Sequence, residues 1–159
     1  MSRWLALATL VAALDQLSKY AIRQSLALGS SIDMTPFFNV VLVYNTGAAF
    51  SFLSSAAGWQ RELFIAIAVA ASIWVVFLLR RHPGQTLFCL ALSLILGGAI
   101  GNVIDRVLLG AVVDFLDFHV AGAHFPAFNV ADSAITCGAV LMIWESLRAP
   151  ADGKRNGNP

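Results

Sequence analysis

Two aspartates stand where an ionised carboxylate is costly. Asp114 lies in Val112-Val113-Asp114-Phe115, and Asp132 in Phe125-Pro126-Ala127-Phe128-Asn129-Val130-Ala131-Asp132-Ser133, at the mouth of an apolar run. Ionisable groups at membrane depth default to a functional reading, because lipid penalises them. Two carboxylates sharing one site push their pKa values apart, so one can hold a proton while the other is ionised. That division suits acid/base chemistry on water and suggests an intramembrane hydrolase. Further polar groups gather around the pair. Asn102, Asp105 and Arg106 are spaced i, i+3, i+4 and share a helix face. Asn129 and Asp132 are spaced i, i+3, Asp15 and Lys19 i, i+4, and Asn45 sits at a turn. Each would cost free energy if left unpaired in lipid. Blander readings stand beside these. Asp15 with Lys19 reads equally as a local ion pair, Asp105 with Arg106 as a solvated helix end, and Asn129 as a helix cap. Asp114 and Asp132 read also as hydrogen-bonded interfacial acids.

Other chemistries find less support. Ser18, Ser51 and Ser133 offer hydroxyls, but no G-x-S-x-G motif is present. Ser18 and Lys19 are adjacent, and neighbours on a helix face apart. There is no Walker loop, no dinucleotide fingerprint and no H-E-x-x-H. His82, His119 and His124 form no recognisable ligand set, and Cys89 and Cys137, each inside an apolar run, read as small buried hydrophobes. A net charge of +1 gives no basic footprint for nucleic acid.

The elements that position these groups must lie in a bilayer. The 159 residues suffice for one domain, and only 12% are charged while 58% are hydrophobic. A soluble domain carries about 25% charged residues. The mean hydropathy of +0.77 agrees with an integral membrane protein. On the criterion of about 20 mostly apolar residues, four spans are predicted. They run from Trp4 to Leu28, Leu63 to Leu79, Leu87 to Ile104 and Val130 to Leu147. The first resembles a signal peptide at its start, but Asp15-Gln16-Leu17-Ser18-Lys19 is a poor cleavage region and apolar sequence resumes beyond it. A retained helix is expected. Arg3, Arg80, Arg81, Arg148, Lys154 and Arg155 all fall on one side of a four-span chain, which predicts both termini cytoplasmic. The long segments from Gly29 to Glu62 and from Arg106 to Asn129 then lie outside.

These outer segments are more than loops. Phe37 to Tyr44 is rich in β-branched and aromatic residues after Pro36 and reads as a strand, followed by the turn signal Asn45-Thr46-Gly47. Gly58-Trp59-Gln60-Arg61 has an interfacial character. The expected architecture is membrane all-α: four transmembrane helices with a small extracytoplasmic β-sheet and an interfacial segment. Gly97 and Gly101 make a G-x-x-x-G spacing, which permits close helix approach.

On these residues the chain resembles the bacterial lipoprotein signal peptidases, or signal peptidase II. The matching segments are Leu14 to Lys19, Tyr44 to Ser51, Gly101 to Arg106, Val112 to Phe115 and Phe125 to Ser133. Each short match alone is weak. All of them in family order, from the first span to the fourth, are specific. The resemblance implies a hydrolase of the bacterial inner membrane, an aspartic endopeptidase for lipoprotein processing. Its protease dyad would be Asp114 and Asp132. Asp15, Asn45, Asn102, Arg106 and Asn129 would orient the dyad and hold substrate, with Asp105 structural. The substrate implied is a prolipoprotein, cut before a cysteine carrying diacylglycerol. No metal or organic cofactor is implied. Cyclic peptides of the globomycin type would inhibit the enzyme. It would work as a monomer among membrane lipids, with its active site near the outer, periplasmic face. Residues 1–150 would form a single peptidase domain, and residues 151–159 a disordered cytoplasmic tail.

Two local expectations complete the reading. The segment around Trp59 and the strand region would clamp the substrate from above as a mobile lid, and deleting Ser54 to Gly58 would then cost activity. Asp117, for which the family pattern has no requirement, would be solvated. Two rival classes remain on residues alone. One is an ion-coupled transporter component using Asp15, Asp105 and Asp132, although no internal repeat supports it. The other is a non-catalytic membrane protein, which predicts that both dyad aspartates tolerate asparagine.

Overall fold

A computed structural model describes residues 1–47 and 59–148. The chain runs α1 (Ser2–Ser25), β1 (Ser31–Thr35), β2 (Phe38–Asn45), α2 (Trp59–Arg81), α3 (Thr86–Leu109), β3 (Val112–Val120), β4 (Ala123–His124) and α4 (Val130–Arg148). All four helices are long and apolar enough to cross a membrane. Their outward faces carry large apolar side chains such as Leu17, Ile67, Ile73, Trp74, Ile143 and Trp144. Such faces suit contact with the apolar core of a bilayer. Residues 54–58, whose deletion tests the expected lid, and the tail 151–159 lie outside the described residues.

The helices start and stop near the expected places, with two informative differences. The first ends at Ser25 rather than Leu28. The third continues to Leu109, so Asn102, Asp105 and Arg106 all lie within it. It stops at Gly110, whose φ of 78° is left-handed and whose N–H bonds to the Arg106 carbonyl.

Helix α3 is the central element, packed against α1, α2 and α4. Lipid supplies no hydrophobic force between helices, so close approach through small residues must hold them. A Cβ on Gly97 would stand 2.6 Å from the Ala8 carbonyl oxygen of α1, and one on Gly101 2.5 Å from Asp15 Oδ2. Gly98 meets Ala131 of α4, and Gly138 of α4 meets Ala91 of α3. The G-x-x-x-G reading is therefore a packing feature, and it seats α1 directly against the polar end of α3. At the other end Trp4, Leu79, Cys89, Leu92 and Leu96 form an apolar core. Cys89 is buried as expected. Cys137 corrects the expectation: it is exposed.

The strands form one antiparallel sheet in the order β1-β2-β3-β4. Its register carries a bulge. Val40 pairs with Leu116 and Val43 with Asp114, so three steps along β2 match two along β3. A one-residue slip moves every later side chain to the other face. Asn39 and Asn45 would otherwise share a face, as residues six apart on a strand. With the bulge, Asn39 lies opposite Asp117 on one face, while Asn45 turns to Asp114 on the other.

Candidate active site

The site is built where the ends of α1, α3 and α4 meet β2 and β3. A cavity of about 760 Å³ opens there, lined by residues of β2, α3, β3, α4 and the segment from Phe125 to Phe128. Its walls are largely apolar. Asp114 and Asp132 both line it, with Asn45, Asn102 and Arg106.

Three asparagines hold the two aspartates, and the orientation of each amide is set by its other partner. Asn102 Oδ1 accepts from Lys19 Nζ at 2.9 Å, and an ammonium can only donate. Asn102 Nδ2 is therefore the end that donates to Asp132 Oδ1, at 2.8 Å. Asn129 Oδ1 accepts the Asp132 backbone N–H at 2.9 Å, so its Nδ2 donates to Asp114 Oδ1 at 2.7 Å. Asn45 Oδ1 accepts the Gly47 N–H at 3.0 Å, and its Nδ2 donates to Asp114 Oδ2 at 3.1 Å. Asparagine at three positions thus converts fixed donors on one side into N–H groups aimed at carboxylates on the other.

Beneath this layer lies a buried charge cluster. Lys19 Nζ is 2.8 Å from Asp15 Oδ2 and 2.8 Å from Asp105 Oδ2, and all three side chains are almost fully buried. Asp15 Oδ1 accepts the Ala131 N–H at 2.9 Å, capping the first turn of α4 from a different helix. Asp105 Oδ2 also accepts the Val113 N–H at 3.0 Å, which fixes the start of β3 one residue before Asp114. Gln16 Nε2 adds a bond of 2.8 Å to Asp105 Oδ1. The reading of Asp15 and Lys19 as only a local pair is incomplete, and the solvated reading of Asp105 is corrected. Burial makes the charges interdependent, because each left alone would carry a large desolvation penalty.

Arg106 occupies one side of the cavity. Its Nη2 donates to the Gly47 carbonyl at 3.3 Å, and its guanidinium lies over the Phe64 ring at 5.2 Å. Arg61 of α2 donates to the Arg106 and Val107 carbonyls at 2.9 and 3.2 Å, covering acceptors that the end of α3 leaves open.

The Asp114 carboxyl is raised to about 7, first by burial and then by the charge of Asp132; the bonds from Asn45 and Asn129 pull it the other way. Near neutral pH one member of the pair therefore holds a proton readily. Among the described residues no cluster of His, Cys, Asp and Glu could hold a metal ion.

Residues 7–148 match the family model for signal peptidase (SPase) II. The chain belongs to the signal peptidase II family. It is 59% identical over 148 residues to the lipoprotein signal peptidase of Burkholderia vietnamiensis (strain G4 / LMG 22486), covering 93% of this chain and 89% of that one. It is 60% identical over 145 residues to the lipoprotein signal peptidase of Ralstonia nicotianae (strain ATCC BAA-1114 / GMI1000), covering 91% and 84%. Among solved structures, a bacterial membrane enzyme determined by the in meso method at 2.3 Å resolution aligns with a TM-score of 0.86 at 34% identity, over 100% of this chain and 96% of that chain. A second bacterial membrane enzyme structure, at 1.9 Å, aligns with a TM-score of 0.82 at 35% identity, over 94% and 95%. The transporter and non-catalytic readings gain no support from these matches.

Within this signal peptidase the expected site residues divide into two groups. Asp114, Asp132, Asn45, Asn102 and Arg106 meet at the cavity. Asp15 and Asn129 are fully buried behind it. Asn129 still reaches Asp114 directly, whereas Asp15 meets the start of α4 instead. Reasoning from spacing missed the weight of Lys19 and Gln16. The Asp15–Lys19 spacing is visible, but their partner Asp105 is distant in sequence. Asp117 is a correction: it is buried, not solvated, because Asn39 and His124 cover it.

Proposed function

We propose that this signal peptidase is an aspartic endopeptidase that removes signal peptides from prolipoproteins, cutting before a diacylglyceryl-modified cysteine. The observation that carries the reading is that Asp114 and Asp132 line one and the same largely apolar cavity. A lipid-bearing cysteine needs apolar walls, while peptide hydrolysis needs water and two carboxylates. Asp114, with its raised pKa of about 7, is the member that holds the proton and donates it to the scissile carbonyl oxygen. Asp132 sits in the first turn of α4, where the helix dipole favours a negative charge, and takes a proton from the attacking water. Asn45, Asn102 and Asn129 hold both carboxylates in place, so little reorganisation is needed at the moment of reaction. Arg106 lies where it can meet the carbonyl groups of the substrate. Asp15 acts indirectly, by holding the start of α4 that carries Asp132.

The distribution of Lys and Arg supports both termini on the cytoplasmic side, with the dyad near the periplasmic face of the inner membrane. The chain works in this reading as a monomer surrounded by lipid, and globomycin-type cyclic peptides fill the cavity in place of substrate.

The experiment is cleavage of a diacylglyceryl-modified prolipoprotein peptide by protein in detergent or lipid, followed by mass. Cleavage before the lipidated cysteine is expected for wild type. Asp114→Asn and Asp132→Asn should each lose at least about a hundredfold, the usual contribution of a general acid or base. Retained cleavage in either folded variant would remove that residue from the mechanism, and equal cleavage of the unlipidated peptide would remove the lipid requirement.

A further inference from the structure

Asp117 has a place in the fold that the dyad does not use. It lies on the face of β3 opposite to Asp114 and is buried, in cross-strand register with Asn39. Asn39 Nδ2 donates to Asp117 Oδ2 at 3.2 Å. His124 Nδ1 stands 2.9 Å from both Asp117 oxygens. The His119 ring stacks on His124 at 4.9 Å, and its Nε2 lies 3.3 Å from Asn39 Oδ1. The four side chains close a ring that ties β2, β3 and β4 together.

The position of His124 makes this ring consequential. Directly after it in the chain, Phe125 to Phe128 form a wall of the active-site cavity. That wall is an arch held at its two feet by backbone bonds. Phe125 N–H donates to Phe118 O at 2.7 Å, and Phe128 N–H to Leu116 O at 3.1 Å. Between the feet Pro126 has no N–H to give. The strand that delivers the arch, β4, has two residues, too few for a ladder to fix its position alone. The rings of Phe118 and Phe128 stack at 5.9 Å at the second foot, and the His124–Asp117 tie is a side-chain anchor immediately before the first. With its hydrogen on Nδ1 the imidazole donates to the Asp117 carboxylate, whose oxygens accept.

We infer that Asp117 and His124 are positioning residues: their tie sets the arch from Phe125 to Phe128 and thereby the fit of the cavity to its substrate. They do not touch the reacting atoms. The substrate part of this inference rests on the proposed peptidase reading of the cavity; the arch part does not.

The test uses the full-length protein in lipid nanodiscs with two readouts. The first is amide hydrogen exchange across residues 125–128. The second is KM and kcat for the diacylglyceryl-modified prolipoprotein peptide. His124 is half exposed, so His124→Ala carries little folding risk; Asp117→Ala is the deeper variant, and His124→Gln retains a donor toward Asp117. In both alanine variants, exchange at Phe125 and Phe128 should speed up about tenfold while α1 and α3 keep their protection. A tenfold change corresponds to about 1.4 kcal/mol, close to the range for one lost hydrogen bond to a charged group. KM should rise about five- to tenfold with kcat within about twofold, the mark of lost binding rather than lost chemistry. His124→Gln should restore both. Unchanged exchange and KM in His124→Ala would overturn the inference, as would a fall in kcat at constant KM. Loss of protection spreading into α1 and α3 would reduce the tie to a general structural role and overturn it too. If wild type failed to cleave at all, the functional reading would fall, and the exchange readout would still decide whether the tie holds the arch.

Discussion

Removing a hydrogen bond from Asp114 should move the alkaline limit of activity upward. The carboxyl stands at about 7, where burial and Asp132 raise it while Asn45 and Asn129 hold it down. Asn45→Ala deletes one of the two restraining bonds, the one of 3.1 Å to Oδ2. A hydrogen bond to a charged group contributes about 1.5–3 kcal/mol, and at this length the lower figure applies. One pKa unit is worth about 1.36 kcal/mol, so the Asp114 carboxyl should rise by about one unit, to about 8. The sign depends on which form the bond favours. The amide N–H stabilises the carboxylate, so its loss favours the acid and extends proton retention to higher pH. Activity requires that proton, so kcat/KM in wild type should fall as pH rises through about 7 and in Asn45→Ala through about 8. The rate at the optimum should drop, because Asn45 also closes the turn to the Gly47 N–H. The assay is initial cleavage of the lipidated peptide from about pH 5 to 9, with the limb position rather than the height as the readout. A limb that stays in place or moves down would refute the assignment of Asp114 as the proton holder. Infrared titration offers an independent check: in Asp132→Asn the charge that raises Asp114 is gone, and its carboxyl should ionise at lower pH than in wild type.

Three further perturbations test the layers beneath. Lys19→Met leaves Asp15 and Asp105 buried without their common cation, and should destabilise the protein by about 3–5 kcal/mol; an unchanged melting temperature in detergent would mean the cluster is not the junction described. Gly101→Ala places a Cβ 2.5 Å from Asp15 Oδ2 and should cost about 1–3 kcal/mol with loss of cleavage, whereas Gly84→Ala, with open space around it, should leave both thermal unfolding and activity at wild-type levels. Asn129→Ala removes the cap of α4 together with the 2.7 Å bond to Asp114. Stability should fall by about 1–2 kcal/mol and cleavage by more than that loss of folded protein accounts for, as measured at matched folded fraction.

Helices are more legible in the sequence than the sheet. An unbroken apolar run reports its own span, because lipid imposes length and composition locally. Even so, Arg106 reads as the start of an outer segment, since a charge suggests a helix end although α3 continues to Leu109. The i, i+3, i+4 spacing correctly gathers Asn102, Asp105 and Arg106, but it cannot tell that Asp105 turns away from the cavity to Lys19. Of the sheet, only the strand beginning near Phe37 is readable. Its pairing with β3 joins segments far apart in the chain, and the bulge that separates Asn39 from Asn45 leaves no local mark. The burial of Asp117 is hidden for the same reason: an acid is solvated or covered according to what lies across from it. Asp114 and Asp132 stand out because each carries its cost in its own neighbourhood.

The pairing within α1 has a consequence for how the chain enters the bilayer. During synthesis α1 emerges long before α3 and must be accepted as a membrane segment by itself. A lone charge near the middle of a span costs about 2.5–3.5 kcal/mol on insertion scales. Asp15 and Lys19 stand one turn apart, 2.8 Å between charged atoms, so the nascent helix can neutralise itself. Asp105 arrives only when α3 is made, and then draws Lys19 into the shared arrangement. The same short-range pair that later anchors the site thus serves first as a passport for α1, letting it wait in lipid until its partner helix is delivered.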